Sequence, residues 1–255
     1  MSTENEKELQ QLKNRLLELS DKAYMQNIFT FTGFLGLSQQ DVFWKNERVM
    51  QAGYSLWGGI PNADRKVIRF GNPEELGYEV PFPITCIHIE PLQAKFADPL
   101  THRDFLGALM NLGIDRSTLG DIKVGEKEAY LLCLDSISDY VCENLSRVRH
   151  TNVKCTKVEN PEELPQEQPQ LVTVQVASAR IDALIAKITG LSREKSLELF
   201  RTGKVFLDGR LCENNARVVK VGETVNARGF GKFRISGEPR RTRKGKLAVE
   251  AEVYR

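Results

Sequence analysis

A chain of 255 residues is long enough for two or three domains, and it has no apolar run close to the roughly 20 residues that a membrane-spanning helix needs. Its net charge of +2 conceals an uneven distribution: residues 1–170 hold 18 Lys and Arg against 25 Asp and Glu, whereas residues 171–255 hold 18 against 9. This asymmetry excludes a uniformly charged surface and favours a polyanionic partner for the basic part.

Residues 1–80 are predicted to form an N-terminal α/β subdomain. An amphipathic helix is expected over residues 4–25, because leucines recur there at helical spacing: Leu9, Leu12, Leu16 and Leu19. Ser38 is predicted to cap a short helix that runs through residue 47. Strands are predicted over residues 54–57 and 66–70, and the many aromatic side chains of this segment are expected to lie in its core.

Residues 81–158 are predicted to form a second, ferredoxin-like and RRM-like domain. The predicted strands are 84–89, 121–124, 129–134 and 152–158, and the predicted helices are 101–112 and 136–148. Their order is β-α-β-β-α-β, which is the plan of ferredoxin-like folds. Thr101 is the predicted N-cap of the first helix, and Asp104 completes a capping box. The K/R-G-F/Y-G/A-F-V-x-F/Y motif of RRM domains is missing, so the pattern favours the fold more than base stacking on this sheet.

Residues 159–170 are predicted to be a solvated linker, because they contain three prolines, four acids and three glutamines. The basic part, residues 171–255, then begins with two short predicted helices. Ser178 and Gly190 are expected to bound the first helix, and the second is expected to follow Ser192 and to bury Leu197 and Phe200.

The rest of the basic part is predicted to consist of short strands. Asp208-Gly209 predicts a tight hairpin, because both residues tolerate positive φ. A second strand–turn–strand unit is expected over residues 218–227. The last two strands are expected near residues 230–235 and 246–254, and the loop between them carries Arg240, Arg241, Arg243 and Lys244. The fold class predicted for the whole chain is α+β with several domains.

Five short motifs occur in order in the basic part: Arg180-Ile181-Asp182, Ser192-Arg193, Gly203-Lys204-Val205, Asp208-Gly209-Arg210 and Val219 to Glu223. Their order and spacing resemble the RNA-binding domain named after small-subunit ribosomal protein S-four. Asp208 stands where that family usually has Asn. The resemblance implies an S-four-type αL RNA-binding domain over residues 171–255, extended by the basic C-terminal hairpin.

A second resemblance spans the chain from about residue 50 to the end. It rests on Thr101 to Leu109, Gly113-Ile114, Arg116, Gly120-Asp121-Ile122, and Arg228-Gly229-Phe230-Gly231-Lys232-Phe233. Together these strings resemble the YlmH family of bacterial RNA-binding proteins. The resemblance implies association with the ribosome, at a large subunit carrying a tRNA, and a part in rescuing stalled translation products.

Fixed positive charge at the joints of such a domain is suited to phosphate binding, because guanidinium groups can contact phosphate through two hydrogen bonds. The RNA-binding residues predicted in the basic part are Arg180, Arg193, Lys195, Arg201, Lys204, Arg210, Arg228 and Lys232. His102, Arg103 and Arg116 are predicted to make local RNA contacts from the N-terminal part. The expected partners are structured RNA, as rRNA or tRNA, and the ribosome; we expect a monomer that does not bind membranes.

We expect no catalytic residue, no metal and no cofactor. The five cysteines form no C-x-x-C pair, and no histidine lies at metal-ligand spacing. The acidic N-terminus lacks the apolar core of a signal peptide, so free thiols in the reducing cytoplasm are expected. An RNA-modifying enzyme of the pseudouridine synthase or methyltransferase type remains an alternative, although neither the R-L-D-x-x-T-x-G setting nor a Gly-rich loop is found. A protein–protein adaptor that uses the acidic N-terminal surface is a third possibility.

Overall fold

The structure is a computed structural model that describes residues 3–159 and 168–254. The chain divides into two compact units, Met1–Leu164 and Pro165–Arg255. Three separate sheets carry the helices, so the architecture is mixed α and β, as expected. In the described part of the chain, no helix is long and apolar enough to cross a membrane. Residues 160–167 of the expected linker lie outside the described residues.

The first unit begins with a small sheet and its helices. Its elements are helix α1 (Thr3–Gln26), strand β1 (Thr30–Phe31), helix α2 (Leu37–Asn46), strands β2 (Tyr54–Trp57) and β3 (Val67–Phe70), and the one-turn helix α3 (Pro73–Leu76). The strands pair antiparallel in the order β1-β3-β2. Leu16 of α1, Phe43 of α2 and Phe70 of β3 are fully buried in one cluster. The helical leucine stripe and the core role of most aromatic residues are therefore confirmed.

The predicted cap of α2 was wrong by two residues. Helix α2 begins after Gly36, whose backbone N–H donates to Oε1 of Gln39 at 2.9 Å. The Gln39 side chain thus satisfies a free N–H at the helix start, and Ser38 lies inside the first turn.

The second part of the first unit is a five-stranded antiparallel sheet with two helices. Its elements are strand β4 (Ile84–Pro91), helix α4 (His102–Asn111), strands β5 (Leu119–Val124) and β6 (Ala129–Leu134), helix α5 (Asp135–Asn144), and strands β7 (Arg147–Val148) and β8 (Thr151–Val158). The strand order is β5-β6-β4-β8-β7. Both helices pack on the sheet through buried residues that include Phe105 and Val141. The predicted order β-α-β-β-α-β is therefore present.

The ends of the two helices differ in how well the sequence predicted them. At the start of α4, the Asp104 carboxylate accepts hydrogen bonds from the Thr101 N–H at 2.8 Å and the Thr101 hydroxyl at 2.7 Å, which confirms the capping pair. Helix α5, however, ends at Asn144 rather than at Val148. Val148 is buried as part of the short strand β7, whose hairpin with β8 turns through Arg149 at a φ of 53°.

The second unit is a seven-stranded sheet with a helix pair. Its elements are strand β9 (Gln170–Val176), helices α6 (Ile181–Thr189) and α7 (Arg193–Arg201), and strands β10 (Val205–Leu207), β11 (Arg210–Leu211), β12 (Thr224–Ala227), β13 (Gly231–Ile235), β14 (Arg240–Arg241) and β15 (Leu247–Tyr254). The strands follow the order β11-β10-β12-β13-β15-β14, and β9 pairs along the other edge of β15. Leu184 and Ile185 of α6 pack in one core with Val225, Phe233 and Val249 of the sheet.

Several predictions for the second unit need correction. Strand β9 begins at Gln170 and was assigned to no element. The N-cap of α6 is Arg180 rather than Ser178, and α7 buries Leu199 and Phe200 whereas Leu197 is only half-buried. Val218 makes a single bridge to Arg180 instead of starting a strand, because the Glu223 carboxylate accepts the Lys220 N–H at 2.8 Å and closes a turn.

The cysteines are free, as predicted. Cys86 and Cys133 are buried, and Cys155 is half-buried. Burial raises the pKa of all three thiols to about 12. Such thiols are inert at neutral pH, which agrees with a packing role.

Candidate nucleic-acid interface

The first group of predicted contact residues is gathered around one buried carboxylate, that of Asp182. The Asp182 side chain is 1% exposed and accepts two hydrogen bonds from Arg180, at 3.0 Å from Nε and 2.8 Å from Nη2. Nη2 of Arg193 lies 3.9 Å from the same carboxylate, and Arg193 is 71% exposed. Asp182 therefore holds Arg180 firmly and steers Arg193, whose remaining N–H groups face solvent.

The charge of Asp182 is stabilised by these neighbours. Burial alone would raise its pKa, but the Arg180 guanidinium, the Ala183 N–H at 2.8 Å and the charge of Arg193 outweigh burial and hold the pKa below the ordinary value. The carboxylate therefore stays ionised and keeps both arginines oriented at neutral pH.

The N-terminus of α7 adds a favourable site for negative charge. Ser192 caps it, as predicted, because its hydroxyl accepts the Lys195 N–H at 3.2 Å. Arg193 and Lys195 are exposed in the first turn. A phosphate at this helix start would be attracted both by the two cationic side chains and by the free backbone N–H groups of the helix.

A second group of predicted residues meets at one end of the seven-stranded sheet. The Arg228 N–H donates to the Lys204 carbonyl at 2.9 Å, which brings these two residues side by side where β10 begins and β12 ends. Arg201 ends α7 three residues before Lys204, and all three side chains are exposed. Across residues 3–159 and 168–254 these three cations have no ion-pair partner. Lys232 lies on β13 nearby but is half-buried, with its ammonium 5.7 Å from the centre of the Tyr254 ring.

Arg210 is separated from that group, because it lies beyond the Asp208-Gly209 hairpin at the other end of β10. Asp208 has a φ of 49° and Gly209 a φ of 79°, so the predicted tight turn is confirmed. The Asp208 carboxylate accepts the Thr224 N–H at 2.8 Å. Its structural role is thus to tie the hairpin to β12.

The hairpin of β14 and β15 carries a further basic surface, which was predicted only as a loop. Five of the seven residues from 240 to 246 are basic, and none is acidic. Arg240 and Arg241 pair with Ala248 and Leu247, and the Thr242 hydroxyl donates to the Lys246 carbonyl at 3.0 Å. Arg241 is therefore held by a paired strand instead of a mobile loop.

In the first unit, two of the three predicted contact residues, His102 and Arg116, lie close enough to interact electrostatically. The Arg116 guanidinium donates to the Leu119 carbonyl at 2.7 Å, and burial followed by the charge of Arg116 lowers the pKa of His102. Arg103 lies next to His102 at the start of α4, and its side chain is exposed.

Arg65 joins this cationic group and was not singled out from the sequence. Its guanidinium donates to the carbonyls of Leu119 at 2.8 Å, Phe34 at 2.8 Å and Arg116 at 3.0 Å. Burial, followed by the charge of Arg116, lowers the pKa of Arg65. Nothing local in the sequence marks Arg65, because its acceptors lie 31 to 54 residues away.

The five-stranded sheet carries one pair of stacked rings that could be considered for base stacking. His88 of β4 and Tyr130 of β6 are direct partners, with ring centres 4.7 Å apart and planes inclined by 15°. The Glu128 carboxylate lies 2.8 Å from Nε2 of His88. An acid beside this half-buried pair disfavours a phosphate backbone, so we place no RNA contact there.

Metal binding has no support in the described part of the chain, where no three His, Cys, Asp or Glu side chains form a group that could hold an ion.

Comparison with known proteins gives three findings. Residues 78–162 match the model of the putative RNA-binding domain in YlmH. A curated relative, ribosome-associated protein quality control protein P2 of Bacillus subtilis, is 28% identical over 229 residues, covering 87% of this chain and 86% of the relative. The solved structure of the cell division protein ylmH from Streptococcus pneumoniae is 19% identical, with a TM-score of 0.49, and covers 65% of this chain and 97% of that one.

Proposed function

Because this chain belongs to the YlmH family of RNA-binding proteins, we propose that it is a non-catalytic factor that binds structured RNA on the ribosome. We further propose that the RNA is ribosomal RNA or tRNA at the large subunit, and that the protein acts in quality control of stalled translation. The name of the Bacillus subtilis relative supports the ribosome and quality control, and the match over residues 78–162 supports RNA binding.

The observation that carries this proposal is the set of exposed cations on the second unit. Lys204 and Arg228 lie side by side through a backbone hydrogen bond of 2.9 Å, and Nη2 of Arg193 lies 3.9 Å from the Asp182 carboxylate. The backbone that carries these cations is already ordered, so phosphate binding need not order a loop, and they contribute more than cations on mobile segments. The predicted set from Arg180 to Lys232, together with the basic hairpin at residues 240–246, would form the main RNA contact.

The finer assignments of fold form part of the same proposal. We propose an N-terminal α/β subdomain over 1–80, a ferredoxin-like, RRM-like domain over 81–158, a linker over 159–170 and an S-four-type domain over 171–255. The β-α-β-β-α-β order and the helix pair leading into the Asp208-Gly209 hairpin support them. A monomer in the cytoplasm is the matching expectation.

The first unit is proposed to add selectivity. It is net acidic, so bulk RNA repels it unless local contacts offset the repulsion. His102, Arg103 and Arg116, joined by Arg65, would supply such contacts from a small cationic group inside an acidic surface. Two linked sites of this kind bind together more tightly than either alone, since the second contact is intramolecular.

Salt dependence of RNA affinity tests the proposal. Full-length protein is titrated with a structured rRNA or tRNA fragment at several salt concentrations. Lys204→Ala and Arg228→Ala should each flatten the log–log slope by about 0.7–0.9, the value for one phosphate contact. Arg217→Gln is the matched control, because Arg217 is paired with Glu223 at 2.9 Å. A flat salt response of the unaltered protein, or no binding at low salt, would refute RNA binding by this surface.

A further inference from the structure

An aromatic side chain stands exposed beside the cations at the end of the seven-stranded sheet. Phe230 is 48% exposed, although most phenylalanines of this chain that the structure describes are buried or half-buried. It lies in the three-residue turn that joins Ala227 of β12 to Gly231 of β13. Single exposed apolar residues are common on protein surfaces, so exposure alone would carry no argument.

The backbone of the turn fixes where Phe230 is displayed. The Phe230 N–H donates to the Ala227 carbonyl at 2.8 Å, which closes the turn. Gly229 on one side has a φ of +87° and Gly231 on the other a φ of +118°, conformations that L side chains rarely adopt. Both neighbouring strands are paired on each side, so the aromatic residue is carried by a short, well-anchored tip.

The surroundings of this tip are suited to a nucleic-acid backbone. Arg228 is the first residue of the turn, Lys204 lies beside Arg228, and Arg201 ends the helix that leads to Lys204. An apolar protein pocket would have to desolvate these cations, which is expensive. A nucleotide offers a π face and a phosphate together, so it can use the aromatic ring and the cations at once.

We propose that Phe230 stacks on an unpaired base of the bound RNA while Arg228 and Lys204 hold the neighbouring phosphates. The RNA target therefore contains a bulge, loop or flipped nucleotide at this contact, because bases inside a continuous duplex are already stacked on each other. This inference rests on the proposed RNA-binding function and adds the class of RNA element that the second unit recognises.

The test compares full-length protein on two blunt-ended RNA duplexes that differ only in one bulged nucleotide. A 2-aminopurine placed in the bulge reports stacking, since its fluorescence is quenched when the base stacks. Phe230→Ala should weaken binding to the bulged RNA by about 5- to 150-fold, the range expected for one stacked base, and should leave binding to the fully paired duplex nearly unaffected. Phe230→Trp should keep both affinity and quenching.

Phe230→Leu is the matched control, because leucine keeps an apolar side chain but has no π face. It should behave like Phe230→Ala, and circular dichroism should show every variant folded. The stacking proposal is overturned if Phe230→Ala binds both RNAs as the unaltered protein does, if Phe230→Leu is fully active, or if the base is never quenched. If the unaltered protein binds neither RNA at low salt, the proposed RNA-binding function itself fails; the stacking criteria above apply when the unaltered protein binds.

Discussion

Replacing Asp182 with Asn removes a buried charge from the second unit and should lower the stability of that unit alone. Oδ2 of Asp182 accepts from Nη2 of Arg180 at 2.8 Å and Nδ2 of Asn215 at 3.4 Å, with Nη2 of Arg193 at 3.9 Å. All three partners are donors. In Asp182→Asn, an amide NH₂ group in the place of Oδ2 would face only hydrogen-bond donors. In the other orientation of the amide, the NH₂ group would replace Oδ1 and face the Ala183 N–H, which is also a donor.

The expected loss follows from these contacts. A hydrogen bond to a charged group contributes about 1.5–3 kcal/mol, and the exposed fraction of Arg180, 33%, reduces its share through solvent screening. We therefore expect Asp182→Asn to lower the free energy of unfolding of the second unit by about 2 kcal/mol. Because the pKa of Asp182 is depressed in the folded state, this stabilisation is present above the unfolded pKa near 4 and is lost as pH falls through the folded value.

The assay must resolve the two units, and the sequence makes this possible. Trp44 and Trp57 both lie in the first unit, so their fluorescence during urea unfolding reports that unit alone. Hydrogen exchange of peptides covering residues 181–201, read by mass spectrometry, reports the second unit. The control is Glu250→Gln, which removes the same charge from an exposed pair 3.9 Å from Arg240 and should lose less than about 1 kcal/mol. Equal losses in the two variants, or a shift of the tryptophan transition, would refute this account of Asp182.

Three further predictions concern separate features. Gly58→Ala should lower the stability of the first unit in urea unfolding by at least about 2 kcal/mol, because a Cβ at Gly58 would lie 2.4 Å from the Arg65 carbonyl. Gly107→Ala, on the exposed face of α4 with nothing within 4 Å, should instead stabilise it by about 0.5–1 kcal/mol, and the opposite order would contradict this packing around Gly58. The pKa of His102 is lowered in the folded state, so the unfolded chain binds its proton more readily and the stability of the first unit should fall as pH drops below about 6.5. His102→Gln should remove that part of the pH dependence, and a variant whose tryptophan-monitored unfolding has the same pH profile as the unaltered protein would refute this prediction. Cys86 and Cys133, with pKa values of about 12, should resist iodoacetamide at pH 8 until urea unfolds the first unit, and labelling in the folded protein, seen by peptide mass spectrometry, would contradict their burial.

The sequence predicted elements well where one local pattern decides the structure. The leucine stripe of α1, the capping pair Thr101 and Asp104, and the Asp208-Gly209 turn each depend on neighbours within a few residues, and each is present. The sequence failed where distant pairing decides. Strand β9 follows a proline-rich segment and is stabilised by its seven pairs with β15, from Gln170–Val253 to Val176–Leu247.

The candidate interface shows the same division. The cations of the second unit could be named from motif order, but which of them lie together depends on strand register. The register of β10 with β12 places Arg228 beside Lys204, whereas the register of β10 with β11 places Arg210 at the other end of β10. The sequence places Arg241 in a loop, and ordering a loop on binding would make its contribution smaller than that of Arg193 or Lys204; this placement is wrong, because Arg241 is paired with Leu247. Arg241 is therefore expected to join the RNA contact on equal terms with other positioned cations.

Co-sedimentation with ribosomal subunits tests the central claim most directly. The samples are the full-length protein and two fragments, residues 1–164 and residues 165–255, which are divided at the boundary between the two units. We predict that residues 165–255 bind both subunits in a salt-sensitive manner and that residues 1–164 bind weakly. Full-length protein should bind more tightly and prefer the large subunit, and Lys204→Ala with Arg228→Ala should weaken it. If residues 1–164 sediment with subunits as well as the full-length protein does, the second unit is not the main RNA-binding part and the account is contradicted.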